Sequence, residues 1–500
     1  MDKRKKSLKI FYYGIISQVV MLLMGMILPR LLITNYGSEV NGLLSSIKQV
    51  FVYVSLLEAG IGTAALQALY APFANDNKQK ISEIMAATDK YFKRTGILYG
   101  VCVILLSIFY PLVIKSEISS IIIILIIFLQ GASGVIKYFF QGKLTILLRV
   151  DGKSYITTNA GTISNVCAHL AQIILILLGA NVIFVQVAYF LINLLQMLYI
   201  SWYVKKHYSW LDLSANPNYA ALDKSKFVII HQISGLIFNN TDVLLLSYFC
   251  GLKEVSVYAL YNLIFTCVSS VIDTLCSSVE FILGQAFNSD KKYFLKLQET
   301  YETYYLAISF SFFTITLIMI PSFMRIYASG VTDINYVDKY LPFLFALLNI
   351  LMYARRTSSQ IINFSGAFKE TQIASIIESI INIVVSLYLV NKIGMYGLLI
   401  GTIAALIYRT NDIIIFANTR ILKRSPMRTY RRWIQNFVIC VVCVVVFNRF
   451  FYLELSFFQW IYHACFISIC CFSLFFFFAS LCDKDSFKAV KQMLMSKIKR

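Results

Sequence analysis

The chain has 500 residues, 58% hydrophobic and only 14% charged, with a mean hydropathy of +0.71 and a formal net charge of +20. A soluble chain carries about a quarter charged residues, so a soluble enzyme is excluded. The Lys and Arg excess sits at the ends of apolar stretches, as membrane topology requires, which argues against a nucleic-acid partner.

A helical crossing of a bilayer needs about 20 apolar residues, and stretches of that length recur about fourteen times. In chain order they begin near Ile10, Asn41, Thr95, Ser119, Tyr155, Val182, Phe227, Val255, Tyr305, Tyr340, Thr371, Met395, Ile434 and Phe457. The run from Ile10 to Thr34 is too long for a signal-peptide core and lacks a clear small-residue cleavage site, so it reads as a permanent helix. Lys3, Arg4, Lys5 and Lys6 place the start in the cytoplasm. Alternation then puts most other cations inside, among them Lys78, Lys93, Lys205, Lys292, Arg424, Arg432 and the tail from Lys484. Both termini are therefore expected to be cytoplasmic. The longest polar inner breaks are expected at 75–94, 205–226 and from Asp483 onward.

The chain also repeats itself. A shift of 214 residues places Gly37 on Gly251, Phe73 on Phe287, Asp76 on Asp290, Lys78 on Lys292 and Gly152 on Gly366. A shift of 215 places Glu39 on Glu254 and Glu58 on Asp273. These matches predict two homologous six-helix halves, 1–214 and 215–428, followed by two additional helices and a basic tail in 429–500. Halves with an even number of crossings insert with one orientation and hold substrate between them. The expected fold is an all-α polytopic membrane protein with two six-helix pseudo-symmetric lobes around a central cavity.

Ionisable groups inside the membrane cost about 2.5–3.5 kcal/mol each on insertion scales and mark candidate sites. Lys48, Lys137 and Arg355, beside Arg356, fall within expected spans, and Arg30 near a span end. They read either as a shared cationic cavity for an anionic headgroup, or as snorkelling and internal ion pairs. Asn262, Thr266, Ser270, Asp273, Ser277 and Glu280 recur at helical steps on one face of the eighth span. Glu58 lies beside a similar stripe in the second, and Asp242 falls in the seventh. Such stripes serve either helix packing or a polar cavity lining with coupling carboxylates. Arg409 and Asp412 read as a local ion pair, and Gly397 and Gly401 as a close helix contact.

The 11 cysteines are scattered, and the Cys440–Cys443 CxxC lies inside an apolar span, where packing is the ordinary use. His169, His207, His231 and His463 show no metal-ligand spacing. Neither a metal nor an organic cofactor is expected.

The segment PRLLITNYGSEVNGLLSSIKQVFVYVSLLEAGIGTAALQALY, Pro29 to Tyr70, resembles the first two helices of Wzx-type flippases for O-antigen and capsule repeat units. NNTDVLLLSYFCGLKEVSVYALYNLI, Asn239 to Ile264, is similar to the start of their second half. That family falls in the multidrug/oligosaccharidyl-lipid/polysaccharide exporter superfamily. The resemblance implies a transporter rather than an enzyme, in the bacterial inner membrane. Its cargo would be an undecaprenyl-diphosphate-linked oligosaccharide, moved by alternating access for surface polysaccharide synthesis. It further implies Lys48, Lys137, Arg355 and Arg30 as diphosphate-binding cations. The expected partners include the lipid bilayer, a polysaccharide polymerase and a chain-length regulator. Membrane potential or an H+ or Na+ gradient through Glu58 or Asp273 would supply the drive. Two alternatives stay open: an organic-cation antiporter of the same fold, and a membrane polymerase or glycosyltransferase. The short outer loops, which lack room for catalytic acids, weigh against the second.

Overall fold

Within a bilayer every backbone polar group must be satisfied internally, and a chain this apolar resolves that constraint as helices. The computed structural model describes residues 20, 24–58, 61–222, 240–450 and 456–498, and no strand occurs among them. The basic start at Lys3–Lys6, much of the first and seventh expected spans, Asn239 and His231 lie outside the described residues.

The elements in chain order are α1 (24–36), α2 (Ser38–Val54) with a 3-10 turn (Ser55–Glu58), α3 (Ile61–Ala74), α4 (Lys78–Val113) and α5 (Ser120–Ile136). A π-turn (Lys137–Gln141) leads into α6 (Gly142–Val150), then α7 (Ser154–Leu177), α8 (Val182–His207) and α9 (240–249). The chain continues with α10 (Leu252–Ser289), α11 (Lys291–Tyr327), α12 (Leu341–Ala354), α13 (Arg356–Ser365), α14 (Phe368–Ile393) and α15 (Met395–Phe416). It closes with α16 (Met427–Phe450), α17 (Phe457–Cys482) and α18 (Lys484–Ile498). Eleven helical stretches among the described residues are long and apolar enough to cross a membrane, and they coincide with eleven of the expected spans. The tenth expected span is broken instead into α12 and α13 at Arg355. The protein is an all-α, multi-pass membrane protein.

Three expected polar breaks turn out to hold ordered structure. The segment 75–94 is largely the start of α4, whose 36 residues rise ~54 Å at ~1.5 Å each, well beyond the ~30 Å hydrocarbon core. Asn77 starts it, its side chain accepting the Lys80 N–H at 3.0 Å. Asp290 starts α11 in the same way, accepting from Lys292 and Tyr293 at 2.9 and 3.1 Å. Such caps contribute about 1 kcal/mol each, enough to carry a helix past the bilayer. After α8, residues 208–222 form a strap over α4. The Asp212 N–H donates to Ser82 Oγ at 3.2 Å, the Asn218 N–H to the Glu83 carbonyl at 3.1 Å, and Lys78 lies 5.8 Å from the Trp210 ring. The tail after Asp483 is α18 rather than a polar break.

The chain divides into two compact units, ending at Ala259 and beginning at Leu260. In the first, α2 packs tightly on the start of α10: a Cβ on Gly42 would lie 1.8 Å from the Leu252 carbonyl oxygen. Asn41 Nδ2 donates to Ser256 Oγ there at 2.7 Å. Helix contacts in lipid rest on such small residues and interhelical hydrogen bonds, because lipid is as apolar as leucine. The second unit is built around stacked rings, with Phe345 5.6 Å from Tyr261 and 5.8 Å from Phe265. Its α14–α15 hairpin closes on Gly397 and Gly401, where an added Cβ would meet Leu389 backbone at 2.4 Å and Ser386 Oγ at 2.2 Å.

Candidate functional site

Each unit holds a cluster of charged groups within its membrane-crossing stretches. In the first unit the α2 helix tightens into the 3-10 turn that ends at Glu58, while α5 loosens into the π-turn that begins at Lys137. A π-turn inserts one residue into the helical ladder and re-aims the side chains it carries, and such turns are frequent at functional sites. Here it sets the buried Tyr138 beside the Glu58 carboxylate and Lys137 within electrostatic reach of the same group. Tyr99 packs on Tyr138 with ring centroids 5.1 Å apart, and Phe51 stacks on Tyr99 at 5.9 Å. Lys137 and Lys48 are both exposed, and neither forms an ion pair among the described residues. Lys48 lies in electrostatic reach of His169, whose Nδ1 is hydrogen-bonded to Gln172 at 3.1 Å.

In the second unit α12 stops where Tyr305 Oη donates to the Tyr353 carbonyl at 3.1 Å, which the Arg355 backbone N–H also reaches. The break at Arg355 separates two neighbouring cations. Arg355 turns toward α14 and pairs with Glu378 at 2.8 Å, an acid that also meets Arg409 at 3.5 Å. Arg356 turns toward α10, pairs with Asp273 and reaches Glu280 at 2.9 Å. A guanidinium can bridge two carboxylates because its donors are fixed in a planar fork. Tyr353 Oη donates to Asp273 at 3.2 Å and Tyr301 Oη to Glu280 at 3.3 Å.

The structure thus brings Glu58 to Lys137, and Asp273 and Glu280 to Arg356. It does not bring Arg355 to Asp273, although the two occupy the same unit. Asp242 is buried at 6% exposure in α9 and accepts from Tyr258 Oη at 3.3 Å. Arg30 is exposed on α1, with no ion pair among the described residues. Arg409 pairs with Asp412 at 2.5 Å, the local pair its spacing implied. Cys440 and Cys443 are buried in α16, and no group of His, Cys, Asp and Glu among the described residues could hold a metal ion.

Sequence reasoning passed over Arg356 in favour of its neighbour, because nothing in a continuous helix distinguishes which of two adjacent cations faces an acid. Glu378 was legible in principle, as one carboxylate in the apolar run of α14. Among the tyrosines, Tyr138 and Tyr353 are marked in the sequence by the cations they adjoin, whereas Tyr301 carries no such signal.

A second charged network, near the polar ends of α16 and α17, ties the last helices to α11. Glu302, 1% exposed, accepts from Arg424 and Arg432 at 2.7 Å and from Thr429 Oγ1 at 2.5 Å. Arg432 also reaches Asp483 at 2.6 Å, and Thr303 Oγ1 donates to the same carboxylate at 2.8 Å. Burial disfavours the charged form of Asp483, but the Thr303 and Arg432 hydrogen bonds and the Arg432 charge outweigh it and hold the carboxyl below its ordinary range.

Long apolar helices define a multi-pass membrane protein, and its fold is similar to that of transporters of the MOP superfamily. The lipid II flippase MurJ, in its inward-closed conformation, matches with a TM-score of 0.70 over 97% of this chain and 99% of that one, at 15% identity. An inward-facing multidrug resistance transporter of the MATE family matches at 0.64 over 81% and 95%, at 16% identity. A MOP-superfamily transporter from Pyrococcus furiosus, described as having a binding pocket of reverse polarity and a different function, matches at 0.54 over 85% and 98%, at 16% identity. No protein-family model matches the chain, and no curated protein sequence does.

Proposed function

We propose that this chain is a flippase that moves a polyprenyl-diphosphate-linked oligosaccharide across a bacterial inner membrane for surface polysaccharide synthesis. The observation that carries this reading is the end-to-end fold match with a flippase of a lipid-linked glycan precursor. The exposed intramembrane cations Lys48 and Lys137 support it, because an exposed ammonium in a span, outside any ion-pair contact, suits an anionic headgroup. Lys48 and Lys137, with Arg30 near the membrane surface, receive the diphosphate. Polar side chains meet the sugars, and the polyprenyl tail stays in lipid. No bond is made or broken. Moving about two negative charges outward, down an inside-negative potential of ~100 mV, releases ~4.6 kcal/mol, at ~2.3 per charge, so membrane potential supplies much of the drive. Glu58, with its tyrosine and lysine neighbours, is the group placed to couple an H+ or Na+ gradient. A polysaccharide polymerase acting on the outer face would consume the product.

The test uses the purified chain in vesicles carrying polyprenyl-diphosphate-linked glycan, with outward movement read by a membrane-impermeant modifying enzyme. Wild type is expected to expose the glycan, and Lys48→Gln and Lys137→Gln to slow it with folding retained. Wild-type rates no faster than empty vesicles would reject the reading.

Export of an organic cation is the second reading. Asp273 and Glu280 outnumber Arg356 in the second unit, and the MATE-family match shares the fold. Efflux of an organic cation from the same vesicles, abolished by Asp273→Asn, would favour it.

A further inference from the structure

A cavity of about 240 Å3, separate from both intramembrane clusters, opens where α11, α16, α17 and α18 meet. It lies where α16 enters its membrane-crossing stretch, Met427–Arg449, and α17 leaves its own, Phe457–Cys482. Such ends sit at the level of lipid headgroups. Most charges around the cavity are already committed: Arg428 to Glu299 at 2.6 Å, and Arg432 to Glu302 and Asp483. Two lining charges of opposite sign, Arg431 and Asp485, are exposed and form no ion pair among the described residues. Between the committed pairs, Asn436 is 2% exposed and lines the cavity. Its Nδ2 donates to the Arg432 carbonyl at 2.8 Å, while its Oδ1 is buried with no partner. A buried acceptor of this kind requires a donor.

We propose that this cavity binds the phosphoethanolamine headgroup of a membrane phospholipid. The phosphate accepts hydrogen bonds from Arg431 and the exposed edge of Arg428, and the primary ammonium donates toward Asp485 and Asn436 Oδ1. The lining balances three arginines, Arg428, Arg431 and Arg432, against Glu299, Asp483 and Asp485. A zwitterion enters such a site with no net charge to compensate, whereas a purely anionic headgroup offers no cation to Asp485. A trimethylated ammonium has no N–H for Asn436. The inference goes beyond the transport reading and stands whatever the cargo is.

The test uses the full-length protein in detergent, with equal amounts of phosphatidylethanolamine, phosphatidylcholine and phosphatidylglycerol, and bound lipid counted by native mass spectrometry. Wild type is expected to retain the ethanolamine lipid over the choline lipid by about tenfold, equivalent to ~1.4 kcal/mol. Arg431→Gln should lower retention of both, and Asp485→Asn should remove the preference between them. Both residues are exposed, so both variants should elute as wild type does. Lys488→Gln, on the exposed face of α18, should change nothing. Thermal stabilisation by water-soluble glycerophosphoethanolamine separates the sources: a shift means the headgroup ester suffices, and a shift with the diacyl lipid alone means the acyl chains take part. Equal retention of the three lipids by wild type would overturn the proposal, as would an undiminished preference in both site variants or a loss in Lys488→Gln equal to theirs.

Discussion

Tyr353 donates its hydroxyl to the Asp273 carboxylate at 3.2 Å, and subtracting 215 from each number gives a second tyrosine beside a carboxylate, Tyr138 and Glu58. The same offset thus relates two tyrosine–carboxylate neighbours. In each unit the tyrosine sits where the helical ladder is interrupted, by a π-turn in one and a break at Arg355 in the other. Each carboxylate also has a cation at hand, Lys137 or Arg356. If these contacts hold the carboxylates for transport, Tyr138→Phe and Tyr353→Phe should each slow vesicle transport about tenfold, since a hydrogen bond to a charged group contributes ~1.5–3 kcal/mol. Unchanged rates in both variants would make the tyrosines packing groups alone.

Arg356 separates geometry from charge. Arg356→Lys keeps the charge but loses the fork that spans Asp273 and Glu280, so a partial drop in thermal stability is expected. Arg356→Gln leaves two carboxylates without their cation and should cost about 1–3 kcal/mol, less than a fully buried pair because Asp273 is nearly half exposed. Adding Asp273→Asn and Glu280→Gln to it should recover most of the loss. A triple variant no more stable than Arg356→Gln would show that the ion pairs are not the source of the cost.

Glu302 is the node of the network that fixes α16 to α18 on α11. Two arginines and Thr429 converge on a carboxylate that is 1% exposed. Glu302→Gln leaves Arg424 and Arg432 short of an acceptor, and the loss should be about 3–5 kcal/mol. A melting temperature within a degree of wild type would contradict the assignment.

Acid should loosen the same region through Asp483. Its carboxyl is held below the ordinary value of 3.8 in the folded protein, so its ionised form stabilises the fold fully above that value. The contribution fades as pH falls through the lower folded pKa. Wild type should therefore lose melting temperature on acidification toward pH 3 more steeply than Asp483→Asn, which starts lower at pH 7. Parallel pH profiles of the two proteins would refute the linkage.

Gly397 tests helix contact without charge. An added Cβ would stand 2.4 Å from the Leu389 backbone carbon, so Gly397→Ala must push α14 and α15 apart. A loss of about 1–3 kcal/mol is expected from overpacking, with reduced yield from membranes. Wild-type stability would mean that the hairpin yields without cost.

The sequence by itself determined the solvent, the helical class, and the number and order of most crossings. Those properties follow from local composition: a run of about 20 apolar residues can satisfy its backbone in lipid only as a helix. It also picked out the one face of α10 that carries Asp273 and Glu280, because helical periodicity alone puts residues seven apart together. Only the tertiary structure decided where the charges go. Arg355 and Arg356 are neighbours in sequence, yet a helix break sends one to Glu378 and the other to Asp273 and Glu280. Polar stretches such as 78–94 became helix beyond the membrane because a capped helix continues wherever its backbone bonds are made, whether lipid or water surrounds it. Partner choice depends on which side chains meet from distant segments, and no local pattern in the chain records that.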